Sequence, residues 1–82
     1  MKYQLFHELA HAPSAKVRRY IVDQALEEHV QFRNIAFEQA HAALRAHGGG
    51  SVPALWDGSQ LYQGAELIIV RLSRLVDIGR SP

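Results

Sequence analysis

The sequence predicts an α/β fold: a four-stranded mixed sheet with helices on both faces, in the order β-α-β-α-β-β-α. Three observations predict it. Short β-prone runs alternate with stretches of helical apolar spacing, and strand-helix-strand units imply parallel pairing with a helix crossing the sheet. Asp57-Gly58, a strong hairpin signal, lies between the last two β-prone runs and adds an antiparallel edge. The 82 residues suit one domain, and nearly half are apolar, enough for one modest core.

The elements follow in order. "KYQLFH" (2–7) places Tyr3, Leu5 and His7 on one side and Lys2, Gln4 and Phe6 on the other, as a short strand does. Pro13 favours an extended Ala12 and a helix start nearby. Over 14–28, Val17, Tyr20, Ile21, Ala25 and Leu26 fall at helical spacing, with Lys16, Arg18, Arg19, Asp23 and Glu27 on the wet face. "VQFRNIA" (30–36) alternates and reads as the second strand. "FEQAHAALRAH" (37–47) carries Phe37, Ala40, His41 and Leu44 on one stripe, a short helix stopped by Gly48-Gly49-Gly50. "VPALW" (52–56) and "QLY" (60–62) flank the Asp57-Gly58 turn. Ala65, Ile68, Ile69, Leu72, Leu75 and Val76 mark a last helix from Gly64 to about Val76. The expected domain is 1–78, with 79–82 as a flexible tail.

Composition narrows the function classes. The formal charge of +1 supplies no field for nucleic acid, and no aromatics interleave with a basic stripe. No run approaches the roughly 20 apolar residues of a membrane span, and the start lacks the apolar run of a signal peptide. The expectation is a cytoplasmic protein with neither nucleic acid nor membrane as partner. There is no cysteine, so disulfides, thiolate metal sites and thiol catalysis by this chain are excluded.

His7, Glu8 and His11 spell H-E-x-x-H, the zinc-protease signature. That chemistry needs both imidazoles one turn apart on a helix, and a third ligand with an open position for water. Here His7 falls at a strand end and His11 in the loop before Pro13. No metal site is expected.

Three further stretches carry a resemblance. "HAPSAKVRR" (11–19) looks like the redox loop opening the first helix of glutaredoxins, and "SVPAL" (51–55) like their Val-Pro segment, whose proline is cis. "DGSQLYQGAELI" (57–68) looks like their hairpin and the small-residue turn that starts the last helix. In order and spacing the chain resembles glutaredoxins and the N-terminal domain of glutathione transferases, which implies the thioredoxin fold. It departs from them where it matters for redox work. His11 and Ser14 stand where the two thiols would be, and a register shifted by one puts Ala12 and Ala15 there. Neither imidazole nor hydroxyl can attack a disulfide sulfur.

The resemblance nominates site residues, each with a plainer structural reading beside it. His11 at a helix start would be held neutral by the positive helix end and could accept a proton from a bound thiol. Ser14 could donate to a thiolate, or simply cap the helix. Val52, before Pro53, would offer its backbone N–H and C=O to an extended peptide. Gly64 at the last helix start would receive the γ-glutamyl carboxylate of glutathione, with Gln63 or Glu66 meeting its amino group and Lys16 the glycyl carboxylate. Trp56, His41 and His47 read as packing and surface residues.

The expected function is a non-redox module that binds glutathione or an extended peptide, with no tightly held cofactor. Two alternatives stand beside it: a transferase-like enzyme activating bound thiol through His11 or Ser14, and a protein-interaction domain with a vestigial cleft. A complete glutathione transferase needs an all-helical second domain, which this sequence does not contain.

Overall fold

The computed structural model describes residues 2–80, with no side-chain description for 78–80. β1 (Tyr3–His7) leads into α1 (Ala12–Asp23), a 3-10 turn (Glu27–His29) and β2 (Val30–Asn34). Next come α2 (Glu38–Ala46), β3 (Ala54–Trp56), β4 (Leu61–Gln63) and α3 (Ala65–Arg80). The expected order of elements is therefore the observed one.

The sheet runs β2-β1-β3-β4. β1 and β2 are parallel, with Leu5 opposite Phe32 and His7 opposite Asn34. β3 is antiparallel to β1, with Phe6 opposite Ala54, and β4 is antiparallel to β3, with Ala54 opposite Gln63. The crossover through α1 is what makes the β1–β2 pair parallel. This is a thioredoxin-like topology.

Strand alternation divides the core into two layers. On one face Leu5 and Leu55 pack with Val17 and Ile21 of α1, Ile68 and Leu72 of α3, and Leu26 and Val30. On the other, Phe6 and Ala54 pack with Leu44 of α2, and Ile35, Val52, Trp56 and Leu61 lie against them. His47, at the end of α2, stacks on Trp56 at 3.9 Å between ring centroids.

α1 ends earlier than its apolar spacing suggests. Gln24 closes the helix, and Ala25 takes a left-handed φ of 55°. The Leu26 N–H returns to the Ile21 carbonyl at 2.9 Å and the Ala25 N–H to the Val22 carbonyl at 3.0 Å. This is a Schellman closure, and both Leu26 and Ile21 are buried in the first layer. Ala25 and Leu26 thus continue the apolar stripe without continuing the helix. At the other end of the chain α3 runs on through Gly79 to Arg80, beyond the expected stop near Val76. The remainder of the expected tail, 81–82, lies outside the described residues.

The hairpin is built on Asp57. Its Oδ1 accepts from the Gln60 N–H at 2.7 Å and the Ser59 N–H at 2.9 Å. Its Oδ2 accepts from the Tyr62 hydroxyl at 3.2 Å and lies 3.6 Å from Nε of Arg71. Arg71 in turn donates to the Tyr3 hydroxyl at 2.7 Å, tying the hairpin, α3 and β1 together.

Candidate functional site

The sheet topology brings three segments to one end. β1 finishes at His7, β4 finishes at Gln63, and the antiparallel β3 starts there at Ala54. The β1–α1 loop, the Ser51–Pro53 segment and the Gly64 turn therefore share this end. The Val52-Pro53 bond is cis, as the resemblance implied.

The β1–α1 loop is held from α1. The Arg18 guanidinium donates to the Glu8 carbonyl at 3.0 Å and to the Leu9 carbonyl at 3.1 Å. It also lies 3.1 Å from the His7 Nδ1. Ser14 reaches back from the first turn of α1, and its fully buried hydroxyl accepts from the Glu8 N–H at 3.3 Å. The Ser14 hydroxyl also meets Nδ1 of His11 at 3.1 Å. Ser14 is thus a loop anchor in the interior of the first turn, and the cap position belongs to His11, which makes no capping bond through its side chain.

The Pro53 side is tied to β4. The Gly64 N–H donates to the Pro53 carbonyl at 3.0 Å, and the Gly64 carbonyl accepts from the Ile68 N–H at 3.1 Å to begin α3. Gly64 has a φ of 100°, a conformation that glycine adopts without penalty. Gln63 spends its side-chain oxygen on the preceding loop, accepting from the Gly50 N–H at 3.2 Å and facing the Ser51 hydroxyl at 3.4 Å. Glu66 and Lys16 are exposed on the first turns of α3 and α1.

Val52 differs from its neighbours. The β1–β3 ladder stops at Phe6 and Ala54, so Val52 lies beyond it. Among the described residues neither its N–H nor its carbonyl has a hydrogen-bond partner, although Val52 is half-buried against the second core layer. Most backbone groups in such positions are paired.

The two histidines of H-E-x-x-H sit on different elements, His7 closing β1 and His11 opening α1. One Nδ1 faces Arg18 and the other Ser14. No helix joins them, so the geometry that zinc proteases require is not formed. With no cysteine in the chain, thiol–disulfide exchange through its own thiols is also excluded.

Sequence reasoning placed Arg18 on a solvated helix face and His7 at a strand end, with no role once the zinc reading was set aside. The structure makes them a clamp and a buried imidazole. No sequence signal marks the clamp, because Arg18 binds carbonyls, which every residue carries. Buried His7 was legible in part, since alternation put it on the side of Leu5.

No protein-family model, characterised protein or solved structure matches the chain. Among the described residues no helix is long and apolar enough to cross a membrane.

Proposed function

We propose that this domain is a non-redox binding module that receives a short extended chain along Val52, with glutathione as a compact example of such a ligand. The observation that carries the reading is the unpaired N–H and carbonyl of Val52 at the end of the β3 strand. An extended ligand would add a short segment there through main-chain hydrogen bonds, which need no particular side chain on either partner. Loss of the redox thiols leaves such recognition intact.

The neighbouring contacts support it. Gln63, Gly50 and Ser51 fix the loop before Val52, and the Gly64–Pro53 bond fixes the loop after it. Binding backbone to a preset edge lowers the ordering cost. The thiol-activating alternative draws on His11 and Ser14. The Ser14 hydroxyl is already engaged inside the loop, which leaves His11 alone to act on a ligand sulfur.

Calorimetric titration with reduced glutathione and with tetra-alanine tests the reading. Binding of either ligand, with affinity on the order of 1 mM or tighter, is expected. No heat of binding from either at tenfold that concentration, roughly 10 mM, leaves the protein-interaction reading in front.

A further inference from the structure

A second feature lies apart from Val52. Among the described residues β2 is an edge strand, with β1 as its one neighbour in the sheet. The main-chain groups of successive strand residues point alternately to the two sides. The Ile35 N–H reaches the His7 carbonyl of β1 at 3.0 Å, so Arg33 and Gln31 turn theirs to β1 as well. Val30, Phe32 and Asn34 turn theirs to the open side. Turns at both ends of β2 use part of this edge. The Glu27 carbonyl takes the Val30 N–H, and the Phe37 N–H donates to the Asn34 carbonyl at 3.1 Å. Among the described residues, what stays open is the Val30 carbonyl, both groups of Phe32 and the Asn34 N–H.

This open set is its own complement. A two-fold axis at Phe32 lays two copies of β2 antiparallel, with Phe32 opposite Phe32 and Val30 opposite Asn34. The two Phe32 residues then exchange N–H and carbonyl bonds, and each Asn34 N–H meets a Val30 carbonyl. Every open group finds a partner, and the two groups already used by the turns face each other. Neighbouring registers lose the match. Phe32 opposite Asn34 sets Arg33 directly against Arg33, and Phe32 opposite Val30 turns a Phe32 carbonyl to the occupied Val30 N–H.

The side chains agree with this register. The Phe32 ring lies on the Leu5 side of the sheet, meets His7 edge-on at 5.7 Å and remains 40% exposed. On the other side Gln31 falls opposite Arg33 of the second copy, so no like charges meet. β2 carries neither lysine nor proline, residues that commonly keep an edge from pairing. Its one charge, Arg33, is drawn inward to the Gln4 side-chain oxygen at 2.8 Å. His7 and Phe32 from one face, and Gln31 and Arg33 from the other, line one concavity of about 430 Å³, so this space follows the strand edge. The opposite edge, β4, is three residues long, and its Leu61 and Tyr62 are half-buried.

We propose that β2 pairs antiparallel with β2 of a second copy of this chain, joining the two sheets through a two-fold symmetric interface centred on Phe32. A two-fold contact needs one patch that complements itself, and the open main-chain groups of β2 meet that condition in a single register. The paired Phe32 rings add a cross-strand aromatic contact. Two five-residue edges make a contact smaller than the roughly 1,200 Å² of a stable interface. The dimer is therefore weak, with a dissociation constant on the order of 0.1 mM. The pairing makes no use of Val52.

Sedimentation and ¹⁵N amide spectra of the whole chain, from roughly 10 μM to about 2 mM, test the proposal. A monomer–dimer equilibrium is expected, with concentration-dependent shifts largest at the Phe32 and Asn34 amides. Phe32→Lys sets two cations opposite each other and should weaken the dimer by about tenfold or more. Gln31→Glu sets a carboxylate opposite Arg33 of the second copy and should tighten the dimer roughly three- to tenfold, a gain that high salt removes. Gln31 is exposed, so this second variant decides the matter even where Phe32→Lys disturbs the fold. A monomer at every concentration, shifts that avoid β2, or a folded variant of either kind that dimerises as the parent does would overturn the proposal. So would Phe32 amide shifts that follow added tetra-alanine and not protein concentration, since they give the edge to a foreign peptide.

Discussion

The Arg18 guanidinium lies 3.1 Å from the His7 Nδ1 and holds the carbonyls of Glu8 and Leu9 with its other hydrogens. One side chain of α1 thus sets the tautomer of a buried imidazole and the path of the loop that follows it. Arg18→Gln should destabilise the domain by about 1–3 kcal/mol, since it leaves loop carbonyls and Nδ1 with poorer partners. It should also raise the pH at which His7 titrates, because the neighbouring cation is gone. Denaturant unfolding and the His7 ring signals against pH check the two parts.

The same imidazole sets a pH dependence. The folded pKa of His7 lies below its ordinary 6.5, chiefly through burial and then through Arg18. The unfolded chain therefore takes up the proton first. The contribution to stability is complete above about pH 6.5 and is lost as pH falls below it, towards the folded pKa. Unfolding midpoints measured between neutral and mildly acid pH should show this decline, and Arg18→Gln should reduce it.

Asp57 acts in a separate, more acid window. Burial alone would raise its pKa, but hydrogen bonds from the Gln60 and Ser59 amides, the Ser59 hydroxyl and Tyr62 outweigh that and hold it at about 2. Its ordinary value is 3.8, so its contribution is present above that pH and lost as pH falls from 3.8 towards about 2. Asp57→Ala should cost about 1–2 kcal/mol at neutral pH and flatten the acid limb of the stability profile. Urea titrations of both proteins across that range measure it.

The glycine run after α2 separates stopping a helix from packing against one. A Cβ at Gly49 would collide with the side chains of Leu44 and Leu61, and Leu44 is buried in the second core layer. At Gly50 a Cβ would meet nothing. Gly49→Ala should therefore destabilise by about 1–3 kcal/mol, whereas Gly50→Ala should stay within about 0.5 kcal/mol. Thermal or denaturant melts of the pair give the comparison.

Ala25 holds a left-handed conformation that costs a residue with a Cβ about 1–2 kcal/mol. Ala25→Gly should relieve part of that and stabilise the domain by about 0.5–1 kcal/mol, the remainder being offset by the freer unfolded chain. A lower unfolding midpoint for the variant would contradict the Schellman closure of α1.

Ala25 also shows where sequence reading reaches its limit. The order of elements was legible because the apolar period changes from 2 to 3.6 and back, and because Asp57-Gly58 marks the hairpin. The end of α1 was not, because a Schellman closure normally advertises itself with glycine, and here the stripe runs on through Ala25 and Leu26. The cis bond at Val52-Pro53 was legible through the resemblance of the Val-Pro segment. The role of Ser14 was not, because its partner is the Glu8 amide, a contact that no side-chain pattern encodes. The concavity beside His7 was hidden for a similar reason. It is made by β2 and the start of α2 beside the end of β1, segments that no local pattern brings together.

The central claim is that Val52 offers its unpaired backbone to an extended ligand. Residue-resolved amide spectra during titration with reduced glutathione, and separately with tetra-alanine, test it most directly. The account predicts that the Val52 amide shows the largest saturable change, with smaller changes at Ser51 and Gly64 beside it. A ligand that binds and shifts other residues while the Val52 amide stays fixed would contradict it.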